Sequence, residues 1–213
     1  MRNFRRAILE ILVSHLLVLI VGSAAWAHIP TVRGHLVAAT RDAEIIVVGT
    51  VRDVTAVGPR SDDVDVTIDH KLRGATPQDK LRFRSPHQLG VGDRCVLFLR
   101  HAAGAWESVT PSGTIFPAKP SDDPDYQKVI GSLVSAFALP DAARPNAVRA
   151  ALLPALTASN DTLRYHAALE LAALAEAGHG PNPTEKAQLQ SLLSKKDFDP
   201  ALQPLIQGLL REH

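Results

Sequence analysis

The chain has 213 residues, 23 Lys+Arg against 22 Asp+Glu, 46% hydrophobic residues and a single cysteine. The charge balance is near zero, with no basic stripe for nucleic acid and no acidic tail. One cysteine excludes an intrachain disulfide framework, and the length suffices for one large domain or two small ones with real cores.

At the N-terminus, Arg2, Arg5 and Arg6 precede the apolar run Ile11–Val21, and Ala25-Trp26-Ala27 puts small residues where a signal peptidase reads. Glu10 precedes the run and Ser14 and His15 interrupt it, so it falls short of the ~20 apolar residues that span a bilayer. We read residues 1–27 as a Sec-type signal peptide cut between Ala27 and His28, with a periplasmic or secreted product that meets the membrane only during export. Without Arg2, Arg5, Arg6 and Glu10 the remainder carries 20 basic and 21 acidic residues.

Residues 28–117 are expected to form a β-domain. Glu44–Val57 is rich in β-branched residues, with Gly49 marking a bulge or bend, and Gly58-Pro59-Arg60-Ser61 is a turn. Asp63–Leu72 alternates: Val64, Val66, Ile68 and Leu72 share one face with His70, and Asp63, Asp65, Thr67 and Asp69 the other. After the turn Arg73–Pro77 come a short strand with Leu81 and Phe83, the run Arg94–Arg100, then Trp106–Val109 and Gly113–Phe116. Five or six short strands at this spacing predict an antiparallel barrel or sandwich. Cys95, inside an apolar run, is expected to be buried and inert.

Residues 118–124 are proline-rich and polar, a linker, and residues 125–213 carry helical periodicity. Val129, Leu133 and Phe137 recur at fourfold spacing in a helix that Pro140 ends, and Asn146–Ala158, Thr162–Ala177, Glu185–Lys195 and Pro200–Arg211 read as four more. Gly178 is placed just past the third, Thr184 as cap of the fourth, and Asp199-Pro200 at the start of the fifth.

Two resemblances follow from particular residues. Asp42-Ala43-Glu44-Ile45-Ile46-Val47-Val48-Gly49-Thr50-Val51, Lys71-Leu72-Arg73-Gly74 and Gly92-Asp93-Arg94-Cys95-Val96-Leu97-Phe98 resemble the OB-like netrin module of tissue inhibitors of metalloproteinases and of many exported bacterial proteins. Asp161, Arg164, Ala167, Ala168, Leu171 and Leu174, echoed by Val148-Arg149-Ala150-Ala151-Leu152, are similar to HEAT-type repeat helices. The resemblances imply an α+β protein: a small antiparallel OB-like barrel followed by a HEAT-like helical bundle. With at most two repeat units, the helices should dock on the barrel and not form an array. In the inhibitor family the mature N-terminal α-amino group chelates a protease zinc from a disulfide-bonded cysteine; His28 stands at that place here, so no inhibitory residue carries over.

A mature N-terminal His28 is also half of a histidine brace, in which an α-amino nitrogen and two imidazoles hold copper. The second histidine would come from His35, His70, His87 or His101. Nucleophile elbow, H-E-x-x-H, C-x-x-C and phosphate-loop motifs are absent. Asp62, Asp63, Asp65 and Asp69 lack an EF-hand's glycine and closing glutamate; the last three read as the wet face of a strand. Ser121–Asp125 reads as a solvated helix start, and His70 and His166, beside Tyr165, as packing histidines. Arg82 and Arg84 flank Phe83 as a small basic face, without the aromatic platforms nucleic acid needs. The sequence therefore reads as an exported, non-enzymatic module without cofactor that binds an envelope or extracellular protein, copper binding through His28 and metalloprotease inhibition being the alternatives.

Overall fold

The computed structural model describes residues 35–75, 79–111 and 114–211; Ala27, His28 and the expected signal peptide lie outside them. A short helix the sequence reading missed, α1 (Leu36–Asp42), leads into β1 (Ile45–Gly58), β2 (Ser61–Arg73), β3 (Lys80–Ser85), β4 (Arg94–Ala102), β5 (Ala105–Ser108) and β6 (Phe116–Pro117). Then come α2 (Asp123–Phe137), α3 (Arg144–Leu152), α4 (Asp161–Glu176), α5 (Pro183–Leu193) and α6 (Gln203–Leu210), with 3-10 turns at Pro120–Asp122 and Leu153–Thr157.

β1 pairs antiparallel with both β2 and β4, β2 with β3, and β4 with β5. The ring β1-β2-β3-β5-β4 closes into a five-stranded OB-like barrel, and β6 adds to β4. The expected purely antiparallel barrel is corrected to a mixed one, because β3 runs parallel to β5 through Phe83–Trp106 and Arg84–Glu107. The reason is arithmetic: an odd ring of strands cannot alternate direction at every seam. Ala103 and Gly104, both at positive φ, make the tight β4–β5 turn.

The two halves of the barrel wall differ. Along β1, Ile45, Val47 and Val51 point into the barrel, while Ile46 and Val48 lie in the core shared with the helices. In β4, Cys95, Leu97 and Leu99 point inward and Val96 and Phe98 outward beneath the helices. Burial on both faces explains the unbroken apolar runs. β2 keeps only Val64, Val66 and Ile68 inside, so it alternates.

The bulge expected at Gly49 is present, with its extra residue on the partner: Val48 pairs with His70 and Gly49 with Ile68, leaving Asp69 over. That slip moves His70 off the inward face where simple alternation had put it. A side chain at Gly49 would meet the Thr67 carbonyl at 3.1 Å, and one at Gly74, where φ is +75°, would meet the Glu44 carbonyl at 2.5 Å. Glycine at Gly74 therefore ends the Lys71-Leu72-Arg73-Gly74 segment for a steric reason.

One apolar core runs from Ile46, Val48 and Phe98 through Phe116 and Tyr126 to Leu133, Leu152, Leu163 and Ile206, so the helices do dock on the barrel. Phe98 and Phe116 meet edge to face at 5.2 Å. Gly178 ends α4 as expected, at φ +83° with the His179 N–H on the Leu174 carbonyl. Three helix boundaries are corrected. Asn182, not Thr184, caps α5, in a reciprocal box with Glu185. Proline at Pro154 turns the end of the second predicted helix into a 3-10 turn. The last helix starts at Gln203, since the Asp199 carboxylate accepts the Ala201 N–H in a turn.

Candidate functional site

Two polar regions carry the chemistry of the molecule. The first is the seam where β2 and β4 meet α2. Arg94, 16% exposed, clamps Asp123 with two bonds of 2.9 and 2.8 Å and gives its Nε–H to Asp69 at 2.9 Å. Asp69 also accepts the Thr50 hydroxyl, and His70 Nε2 lies 2.9 Å from Asp123. The bulge at Asp69 explains why neighbouring residues of one strand reach the same pair of partners.

Beside it, Asp122 accepts from the Lys119 N–H at 2.8 Å, Asn160 Nδ2 at 2.9 Å and the Ser159 hydroxyl at 3.0 Å. Burial alone would raise its pKa; the bonds from Lys119, Asn160, Ser159 and Ser121 outweigh that and hold it below the usual carboxylate range. The Tyr126 hydroxyl donates to the Pro117 carbonyl at 3.1 Å, and burial pushes its ionisation far above normal. The expected solvated helix start is thus corrected at Asp122 and Asp123, which are buried and bonded on every side. A cluster so fully partnered locks barrel to helices.

The second region is the open end of the barrel. The β1–β2 turn, the β3–β4 loop and the β5–β6 segment wall a cleft of about 610 Å³, lined by Ala56, Arg60, Asp62, Pro86, His87 and Ile115 among others. His87 is buried at its floor, its Nε2 2.8 Å from the Thr110 hydroxyl, which meets the Ser108 hydroxyl at 2.8 Å. Desolvation, partly offset by an interaction with the Thr110 backbone, keeps its imidazole neutral more readily than usual. As a hydroxyl–histidine pair it faces an interior cavity of about 10 Å³ with no Asp or Glu in its lining. That space holds one water at most. Sequence reasoning missed the Ser85, His87, Ser108 and Thr110 cluster because its members sit on two stretches of chain about twenty residues apart.

The remaining expected residues are dispersed. Cys95 is buried, and burial lifts its thiol to about 12, so it stays protonated and inert as expected. His101 packs edge-on against Trp106. Asp63 and Asp65 lie on the outer face of β2, within ion-pair distance of Arg82, with Arg84 bonded to Asp63. Asp62 lines the cleft.

His35, at the start of α1, faces His166 with ring centres 6.4 Å apart; His166 also packs on Phe116 at 4.7 Å. The His166 Nδ1 is buried without a partner, and desolvation followed by His35 lowers its pKa to about 4. Among the described residues no three His, Cys, Asp or Glu side chains converge to hold a metal ion, and no helix is long and apolar enough to cross a membrane. The chain matches no protein-family model and no curated protein.

Proposed function

We propose that this is an exported, non-enzymatic binding module that engages another envelope or extracellular protein through the open end of its barrel. The observation that carries it is the distribution of exposed apolar residues. Of the five large ones among the described residues, Ile115 lines that cleft, Val57 lies between its lining residues Ala56 and Gly58, and Val91 belongs to the β3–β4 loop farther along β1. Apolar side chains gathered around a cleft of mixed polarity mark contact surfaces. At the helix seam, by contrast, Arg94, Asp122, Asp123 and Asn160 are bonded to one another and to neighbouring groups. The test places a photo-crosslinking residue at Val57, Ile115 and, as control, Leu139, in cells expressing the full chain. Discrete adducts from the first two and none from Leu139, abolished by Asp substitution at the neighbouring apolar position, are the expected result. Adducts independent of position refute it.

The copper reading through His28 is favoured by one observation: His35, which follows His28 closely in sequence, stands beside His166, a nitrogen of which is unpartnered. A copper titration of mature protein against His28→Ala decides it. Equal weak affinities eliminate that reading.

A further inference from the structure

The barrel is closed, yet one of its strands carries an open edge. β1 pairs with β4 only over Ile45–Thr50, whereas its pairing with β2 continues to Gly58. Loop residues Gly92 and Asp93 cover the next step, Asp93 accepting the Val51 N–H at 2.8 Å and Gly92 donating to the Val51 carbonyl at 3.0 Å. Beyond that point, among the described residues, no backbone hydrogen bond reaches Arg52–Gly58 from that side.

The direction of the unused groups follows from the register. Val51 turns its N–H and C=O away from β2. The shift between Val51 and Asp53 leaves Arg52 as the extra residue, so Val54 and Ala56 take the same sense next. Burial agrees: Val51 and Val54 pack on the barrel core and Ala56 lines the cleft. Two residues of outward N–H and C=O groups at strand spacing are complementary to another extended backbone, which can satisfy both at once.

The surroundings fit an inserted strand. Arg52, Asp53, Thr55 and Ala56 are exposed, Val57 is 47% exposed, and no proline interrupts the segment before Pro59. Charge is available at both ends: among the described residues neither Asp53 nor Arg60 has an ion-pair partner. A second copy of this edge does not supply the complement. Arg60 lies in the turn beyond the end of β1, so two copies of this edge paired two-fold would leave it outside the paired strands.

We infer that the β1 edge from Asp53 to Gly58 takes up an extended, proline-free peptide segment of a partner protein as an added strand, with a basic residue near Asp53 and an acidic residue near Arg60. The inference rests on the binding-module reading and specifies its ligand. A random octapeptide library displayed on phage, panned on the mature chain, is the probe. The expected enrichment is for alternating β-branched residues with opposite charges at the two ends. The consensus peptide should lose at least tenfold in affinity on Ala56→Pro, which removes an outward N–H while leaving the bonds to β2. Asp53→Arg combined with Arg60→Glu, which leaves the backbone intact, should reverse the preferred order of charges. Enriched peptides that bind Ala56→Pro equally, no enrichment at all, or a dimer of the chain lost on Ala56→Pro would each overturn it. Crosslinks from Val57 and Ile115 that survive in Ala56→Pro would leave the binding module standing while removing strand addition.

Discussion

β1 is one continuous strand that lives in two environments. Its first half, Ile45–Thr50, has a strand on either side and side chains buried on both faces; its second half, Arg52–Gly58, has β2 on one side and, among the described residues, no strand on the other. The first half is structural because every backbone and side-chain group there is committed. The second retains unused hydrogen-bonding capacity, which is what a binding edge requires and what a stable wall cannot spare.

That contrast can be broken most directly by putting the same charge in each half. Val48→Asp buries an unpaired carboxylate between barrel and helices, and we expect a loss of more than ~4 kcal/mol or failure to fold. Thr55→Asp, seven positions along, should change stability by under ~0.5 kcal/mol in the same denaturant titration.

The seam comes next in magnitude. Asp123→Ala strands the largely buried Arg94 with one remaining carboxylate and takes the partner of His70, so a loss of about 3 kcal/mol is expected. Unchanged stability would mean that the cluster is not what fastens α2 to β4.

A pH profile sharpens the same division. His166 has its pKa lowered to about 4 in the fold, below the ordinary histidine value, so the folded state binds its proton more weakly than the unfolded chain. Its neutral form is therefore accommodated above about pH 6.5, and stability falls as pH drops from there toward 4. The loss should reach about 3 kcal/mol at most, and His166→Phe, next to Phe116, should flatten that part of the curve. A wild type and variant with parallel curves would contradict it. Smallest of all, Arg84→Ala on the exposed face of β2 and β3 should cost under ~0.5 kcal/mol, because its pair with Asp63 is half in solvent.

How much of this was readable in the chain differs by region for physical reasons. The continuous apolar runs of β1 and β4 and the alternation of β2 are direct consequences of two-sided and one-sided burial, so strands, helices and the inert Cys95 were legible. The parallel β3–β5 seam was not, since strand direction follows from ring closure and leaves no mark on Leu81 or Trp106. His70 was misplaced because a bulge shifts alternation without changing composition. Asp122 and Asp123 resembled a solvated linker because carboxylates carry no sign of the Arg94 and Asn160 groups that would meet them. The open edge was hidden for a related reason: Arg52–Gly58 looks like any strand until the end of its pairing with β4 is known.

Amide hydrogen exchange resolved along β1 tests the central claim most directly. Amides of Ile46 and Val48 should exchange only through global opening, while those of Val54 and Ala56 exchange orders of magnitude faster in the same native protein. Equal protection of Val54 and Val48 would show that the edge is already occupied, and would contradict the account.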